Sequence, residues 1–300
     1  MKKVSVIITT YGGGNEVVRA VNSVLCQTYK NVELIVVDDN GQGTENQIKT
    51  EGYLSDFIKE NKLIYIPHEV NKNGSAARNT GFKNSTGEFI MFLDDDDEFT
   101  PARIEKQLSV LTEEYGASYC SYEKRNADGS FYSRVRIKKS GDILYNTLMH
   151  IKSPTTDNMM IRRECFEAIG GFDESFVRHQ DWEMSARLAG EYKFAAMRDI
   201  GVIVNMQFRN QPQNIEKYAE IRHKYLDKTA FLRDKLSNTR KKRVLAENLY
   251  DIAMQHLKVG GVSAFLKEYK KVGMGIYGIE FIFRRAYLII SQKVRSKLCM

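Results

Sequence analysis

A chain of 300 residues, 42% hydrophobic and 28% charged, has an ordinary globular composition, with length for one large α/β domain plus an appendage. Its four cysteines, Cys26, Cys120, Cys165 and Cys299, stand far apart without a Cys-x-x-Cys, which argues against a disulfide framework or a zinc site and for a reducing cytosol. The formal charge of +7 is unevenly spread: residues 1–210 hold 26 Lys and Arg against 30 Asp and Glu, and residues 211–300 hold 19 against 8. An anionic partner surface, membrane or nucleic acid, and a plain solvated helical face both account for such a basic final third.

Met-Lys-Lys-Val-Ser-Val-Ile-Ile starts like a secretory signal, but the apolar run stops at Thr9-Thr10, short of an h-region. No stretch reaches the roughly 18 apolar residues of a membrane span. Val4 to Ile8 is β-branched and reads as a buried parallel strand, broken by Tyr11-Gly12-Gly13-Gly14. Asn15 then caps an expected helix carrying Val17, Val18, Val21, Val24 and Leu25. Leu34 to Val37 is a second strand, ending at Asp38-Asp39, and a polar helix marked by Ile48, Leu54 and Ile58 follows. Leu63 to Ile66 is a third strand, with Ser75 as the expected cap of a short helix to about Asn84. Phe89 to Leu93 is a fourth, and Pro101 suits the first turn of the next helix.

Alternating β and α elements predict a parallel sheet with covering helices, and ligands of such sheets bind beyond the carboxyl ends of the strands. Thr10-Tyr11, Asp38-Asp39 and Asp94 to Asp97 all fall at such ends, which predicts one shared crevice. Beyond residue 115, strands are expected at Ala117 to Tyr122, Phe131 to Ile137, Asn158 to Ile161, Phe194 to Met197 and Val202 to Met206, with a helix over Asp181 to Leu188. From Asn214 the pattern is helical.

Phe-Leu-Asp-Asp-Asp-Asp-Glu, residues 92–98, ends a buried strand in four adjacent like charges. Hard divalent cations take oxygen ligands, and Mg²⁺ is held by one or two carboxylates with phosphates completing its shell. The run therefore suits metal-assisted diphosphate binding, against the plainer reading of solvated, helix-capping aspartates. Asp38-Asp39 by itself would also suit the ribose of a dinucleotide, but Thr-Thr-Tyr-Gly-Gly-Gly-Asn-Glu lacks the Gly-x-Gly-x-x-Gly that a dehydrogenase needs.

Seven motifs occur in order: VSVIITTY, SVLCQTY, ELIVVDD, NGSAARNTG, GEFIMFLDDDD, GGFDESF and QDWEM. Together they resemble the family 2 inverting glycosyltransferases of the GT-A fold over about residues 3–190. The resemblance implies a GT-A α/β fold, and the change to a helical, basic pattern sets the expected domains at residues 1–210 for the glycosyltransferase and 211–300 for a basic helical region. The resemblance also implies transfer of a sugar, with inversion, from a nucleotide-diphosphate sugar, most simply a UDP-sugar, to a hydroxyl of a glycan or lipid-linked glycan, assisted by Mn²⁺ or Mg²⁺.

By the same resemblance Thr10 and Tyr11 lie against the nucleotide, Asp39 accepts from a base N–H, and Arg78 sits near the base and phosphates. Asp94 and Asp96 match a D-x-D, the first toward the ribose and the second on the metal, with Asp95 a substitute if the register differs by one. Asp181 in QDWEM matches the general base, with Glu183 as runner-up. Gln180 stands where an acidic neighbour is usual, Thr9 replaces a common proline, and Gly12 to Gly14 loosen the first loop. Trp182 borders the acceptor or the core; Asp173 is a turn residue on the plainer reading.

Residues 274–300 carry Ile276, Ile279, Phe283, Ala286 and Ile290 at helical spacing, with Arg284, Arg285, Lys293, Arg295 and Lys297. An interfacial helix on anionic lipid and a helix packed on the enzyme both fit. Nucleic acid is disfavoured, since no recognised motif accompanies the charge. The expected location is cytoplasmic, with peripheral attachment to the inner face of the cell membrane if the basic helix meets lipid. Two rivals remain: a nucleotidyltransferase, which would want a basic Gly-rich loop after the first strand, and a non-catalytic nucleotide-sugar-binding subunit.

Overall fold

The computed structural model describes residues 1–206, 214–272, 275–284 and 286. Chain contacts group Met1–Ile143 with Pro154–Met206, and Leu144–Ser153 with the described residues beyond 213.

The first group is built on a nine-stranded mixed sheet. Its strands are β1 (Val4–Thr10), β2 (Val32–Asp38), β3 (Ile64–Pro67), β4 (Phe89–Asp94), β5 (Glu98–Phe99), β6 (Ala117–Arg125), β7 (Phe131–Val135), β8 (Met159–Arg162) and β9 (Phe194–Asn205). Their order is β3-β2-β1-β4-β8-β6-β9-β5, with β7 beside β6. The four predicted strands are present and parallel, and β8 breaks the pattern by pairing antiparallel with both β4 and β6. Two expected closing strands are one: β9 runs through with a register shift opposite Cys120 to Tyr122.

Each central strand is apolar on both faces because helices cover both. Val4, Val6 and Ile8 pack with Val17, Val21 and Val24 of α1 (Glu16–Leu25). Ile7, Ile35 and Val37 pack on the other face with Ala77 of α3 (Gly74–Lys83). The remaining helices of this group are α2 (Glu45–Lys59), α4 (Arg103–Val110), α6 (Arg163–Ala168) and α7 (Gln180–Glu191). The second group holds α5 (Leu144–Leu148), α8 (Ile215–Lys228), α9 (Ala230–Asp234), α10 (Asn238–Val272), broken at Gly261 (φ 70°), and a helical stretch over 276–284, here α11.

Two expected caps differ. Asn15 makes no capping side-chain bond. α3 is capped by Asn73 rather than Ser75: the Asn73 amide oxygen accepts from the N–H groups of Ser75 (2.8 Å) and Ala76 (3.3 Å), at φ 81°. With ψ at 163°, Asn73 holds a backbone conformation otherwise nearly confined to glycine. Pro101 lies just before α4, whose first helical residue is Arg103.

Gly81 lets α3 press onto β1. A Cβ there would stand 2.3 Å from Ile7 Cγ2 and 3.3 Å from Val37 Cγ2. Gly81→Ala is expected to destabilise the protein by about 1–3 kcal/mol through overpacking, read as a lowered urea midpoint at unchanged m-value.

Candidate active site

The carboxyl ends of β1, β2 and β4 meet, as register dictates: Thr10 lies beside Asp38, and Thr9 beside Asp94. Asp39 N–H then donates to Thr10 O (3.0 Å). The two acidic residues ending β2 have different fates. Asp38 is wholly buried and accepts from Asn40 N–H (2.9 Å), Asn40 Nδ2 (2.7 Å) and the Tyr65 hydroxyl (2.6 Å). Asp39 Oδ1 meets His68 Nδ1 (2.7 Å) and Lys72 N–H (2.8 Å), while Oδ2 accepts from Asn71 Nδ2 (2.9 Å). His68 Nε2 in turn contacts Thr80 Oγ1 of α3 at 2.9 Å. Asp39 is therefore held from three sides in one orientation, with acceptor capacity left on Oδ2.

The four aspartates after β4 separate by direction. Asp94 Oδ1 receives Arg78 Nη2 at 2.6 Å. Asp95 Oδ2 accepts from the Thr10 hydroxyl (2.5 Å) and from Tyr11 N–H (3.4 Å). Burial, partly offset by the Thr10 bond, pushes the Asp95 carboxyl up to about 6. Asp96 presents its carbonyl to Arg19 Nη2 and Asn205 Nδ2, both at 2.8 Å. Asp97 turns inward, accepting from Asn205 N–H (2.9 Å), and burial followed by Asp157 and Asp96 holds it well above the carboxylate range. Tyr11 leaves 65% of its surface exposed at the mouth of this crevice.

α3 and α7 supply the other wall. Arg78 spans the site: besides Asp94, it donates through Nη1 to Gln180 Oε1 (2.8 Å) and lies over the Phe172 ring, 5.5 Å from the centroid. Gln180, an apparent departure from an acidic motif, is thus the neutral acceptor that ties Arg78 to the start of α7. Asp181 follows in the first turn, where the backbone N–H groups of Trp182 and of Asp181 itself favour its charged form. Burial pushes Asp181 up to about 6 against the pull of Arg78 and with a further push from Asp94. The His179 ring stacks on Trp182 at 3.8 Å, so the tryptophan is braced from within the same helix start.

The bend before α7 is pinned from both helices. Asn79 of α3 exchanges bonds with the Phe172 backbone (3.0 and 2.9 Å), and Arg187 Nη2 donates to Gly171 O (2.8 Å), with Gly171 at φ 71°. Asp173 caps its own turn by accepting from Ser175 N–H at 2.9 Å. Glu183 is not poised for proton transfer: it is buried, and its two oxygens take Arg187 Nε and Nη2, both at 2.6 Å. Glu183→Gln is expected to cost about 3 kcal/mol of stability by stranding Arg187, while turnover changes by less than about threefold; urea melts and kcat on one preparation check both.

Several residues of the site carry no local motif. Asp157, in a one-turn 3₁₀ segment (Thr156–Asn158), accepts the Asp94 N–H at 2.8 Å and so fixes the first aspartate of the run. Burial, then Asp94, drives its carboxyl well above the ordinary range. Arg103 is fully buried, stacked 3.7 Å over Phe99, and burial lowers it to about 10, opposed by Cys120, Asp157 and Asp97. Its Nη1 has no acceptor among the described residues. Among the described residues no three or more Asp, Glu, His or Cys side chains converge as a metal site, while the oxygen donors of the Asp94 to Asp97 run are of the type a divalent ion takes. A groove of about 950 Å³ along α1 and β5 holds none of the predicted site residues, and joins them through Arg19, which pairs with Glu98 at 3.1 Å.

The profile of "Glycosyl transferase family 2" matches residues 5–170, which spans β1 through the Gly170 bend. The chain belongs to glycosyl transferase family 2. An uncharacterized glycosyltransferase of Rickettsia felis is 40% identical over 134 residues, 44% of this chain and 21% of its own length. The Escherichia coli protein WfaP, named as a UDP-Glc:alpha-D-GlcNAc-diphosphoundecaprenol beta-1,3-glucosyltransferase, is 34% identical over 123 residues, 41% of this chain and 47% of its own. Among solved structures, Staphylococcus aureus TarS 1-349 in complex with UDP-GlcNAc matches with a TM-score of 0.64 at 17% identity, over 86% of this chain and 73% of that one. That likeness establishes the GT-A fold for this family 2 chain. The predicted fold class holds, with a mixed α/β sheet and C-terminal helices.

Proposed function

We propose that the protein transfers a sugar from a UDP-sugar, with inversion, to a hydroxyl of a lipid-linked saccharide, and that Asp181 is the general base. The observation that carries this reading is Arg78, whose one guanidinium joins Asp94 at the end of β4 to Gln180 beside Asp181. A donor diphosphate at Arg78 and an acceptor hydroxyl at Asp181 would then be neighbours. UDP is favoured by the UDP-GlcNAc complex of TarS and by the UDP-Glc in WfaP's name, and the lipid-linked acceptor by the diphosphoundecaprenol there.

Each residue has a task in this reading. Asp39, held by His68, Asn71 and Lys72, offers its remaining acceptor capacity to a base N–H. The exposed Tyr11 ring gives the base a face to rest on. Asp94 and Asp95, fixed by Arg78 and Thr10, turn toward the ribose and diphosphate. Asp96 would hold Mn²⁺ or Mg²⁺, which when bound supplies positive charge for the departing diphosphate. Arg78 adds its own charge there. Asp181, raised to about 6, takes the acceptor proton as the hydroxyl attacks C1 opposite the diphosphate, so no enzyme nucleophile is needed and an α-linked donor gives a β-product. Trp182 borders the acceptor.

Among the described residues no helix is long and apolar enough to cross a membrane. A lipid-linked acceptor lies at a bilayer surface, and the basic charge of residues 211–300 supports an approach to one. The test is a panel of UDP-, GDP- and dTDP-sugars with Mn²⁺ and a polyprenyl-diphosphate-linked GlcNAc. Acceptor-dependent release of UDP, with a β-linked product by NMR, is expected; retention of configuration, or no release from any donor, overturns the reading.

A further inference from the structure

α11 packs on α10 with one face only. Phe281 and Tyr277 join Tyr250, Tyr269 and Phe265 in a small aromatic core. Both charged side chains described on α11 are committed to the same side: Glu280 pairs with Arg243 at 2.9 Å, and Arg284 pairs with Glu247. The outward face is apolar. Ile276 is 74% exposed and Phe283 72%, with Ile279 and Ile282 beside them at helical spacing and Glu280, held by Arg243, at the edge. A helix face turned to water would carry polar residues instead. The second half of α10 repeats the theme, exposing Val262 and Leu266 next to Lys267 and Lys270.

We propose that this face of α11 is a docking surface for an anionic lipid bilayer, with Ile276, Ile279, Ile282 and Phe283 entering the headgroup–acyl boundary. Charge complementarity selects the occupant. Residues 211–300 hold 19 Lys and Arg against 8 Asp and Glu, and no acidic residue follows Glu280. Lys293, Arg295 and Lys297 add to that charge in sequence, and with Ile290 lie outside the described residues. Apolar side chains on α11 for insertion, with lysines on α10 for headgroups, match an interfacial helix, and basic residues near an anionic surface strengthen such attachment. The inference rests on the reading that the acceptor is lipid-linked, and deepens it by naming the residues that bring the enzyme there.

The test is co-sedimentation of the full chain with vesicles of phosphatidylcholine alone or with about a third phosphatidylglycerol. Binding is expected to be at least tenfold stronger on the anionic vesicles, and the double variant Ile279→Glu/Phe283→Glu is expected to lose at least tenfold. Calorimetric binding of UDP-sugar by both proteins runs alongside: unchanged donor binding in the variant shows that it folds. Vesicle binding without donor binding by either protein would sink the functional reading and leave the docking surface standing. Equal binding to neutral vesicles, or a variant that binds as the parent does, overturns the proposal. So does a parent that forms dimers in sedimentation velocity while the variant is monomeric, since a second copy would then cover the face.

Discussion

Asp181→Asn should lower kcat by about 10²–10⁴-fold, the range general base catalysis contributes, while donor affinity stays within a few-fold. The substitution keeps the shape of the side chain and removes only its ability to take a proton. It should also stabilise the protein at neutral pH. The carboxyl stands at about 6 in the folded chain against an ordinary 3.8, so the folded state favours the protonated form. Stability from this group is full below pH 3.8 and is lost as pH rises toward 6. Above that the charged form costs up to about 3 kcal/mol, which asparagine avoids. A mutant nearly inactive yet at least as stable as its parent in urea would separate catalysis from folding. In the parent, kcat/KM should fall tenfold per pH unit below about 6. An inactive variant that has also lost donor binding would instead make Asp181 a structural group.

Arg78→Ala should reduce kcat/KM by about 10²–10³-fold, the loss expected on removing one preorganised electrostatic partner. Its effects should reach both substrates' sides of the crevice. Without the guanidinium, Asp94 loses its 2.6 Å partner and Gln180 its tie to α3. Arg78 also pulls Asp181 downward, so the acid limb of the pH profile should move to higher pH in the variant. Arg78→Lys keeps a charge but cannot make both bonds in one plane, and should recover only part of the activity. The stability cost should stay near 1 kcal/mol, because Asp94 is 40% exposed and solvent takes up much of its charge. Steady-state kinetics of the three proteins from pH 5 to 9 decide between this coupling and a purely local phosphate contact, which would leave the pH limb where it is.

The strand ends were legible because the signals are local. Apolar runs that stop at Thr10, Asp38 and Asp94 state their own boundaries, and parallel register then brings their termini together. Arg78 was legible only through its motif; that its partners would be Asp94 and Gln180, 16 and 102 residues away, depends on how α3 and α7 meet the sheet. Asp157 and His68 left no trace for the same reason. Asp157 acts through the Asp94 N–H and His68 through Asp39 Oδ1 and Thr80 Oγ1, and an isolated aspartate or histidine carries no period or spacing to read. The identical letters of the four-aspartate run hid their different burial: Asp97 faces inward to Asn205, and Asp95 faces the end of β1. Glu183 shows the converse, an acid that fits the site by position in sequence and is withdrawn from it by Arg187, one helical turn away.

At the centre of this account is a nucleotide sugar lodged among Asp39, Arg78 and Asp94. Titration calorimetry of the protein with UDP-GlcNAc and UDP-Glc in excess Mn²⁺ tests that most directly. Uptake of one equivalent is predicted, weakened at least tenfold by Asp39→Ala and by removal of Mn²⁺ with a chelator. Absence of binding for every UDP-, GDP- and dTDP-sugar would contradict it.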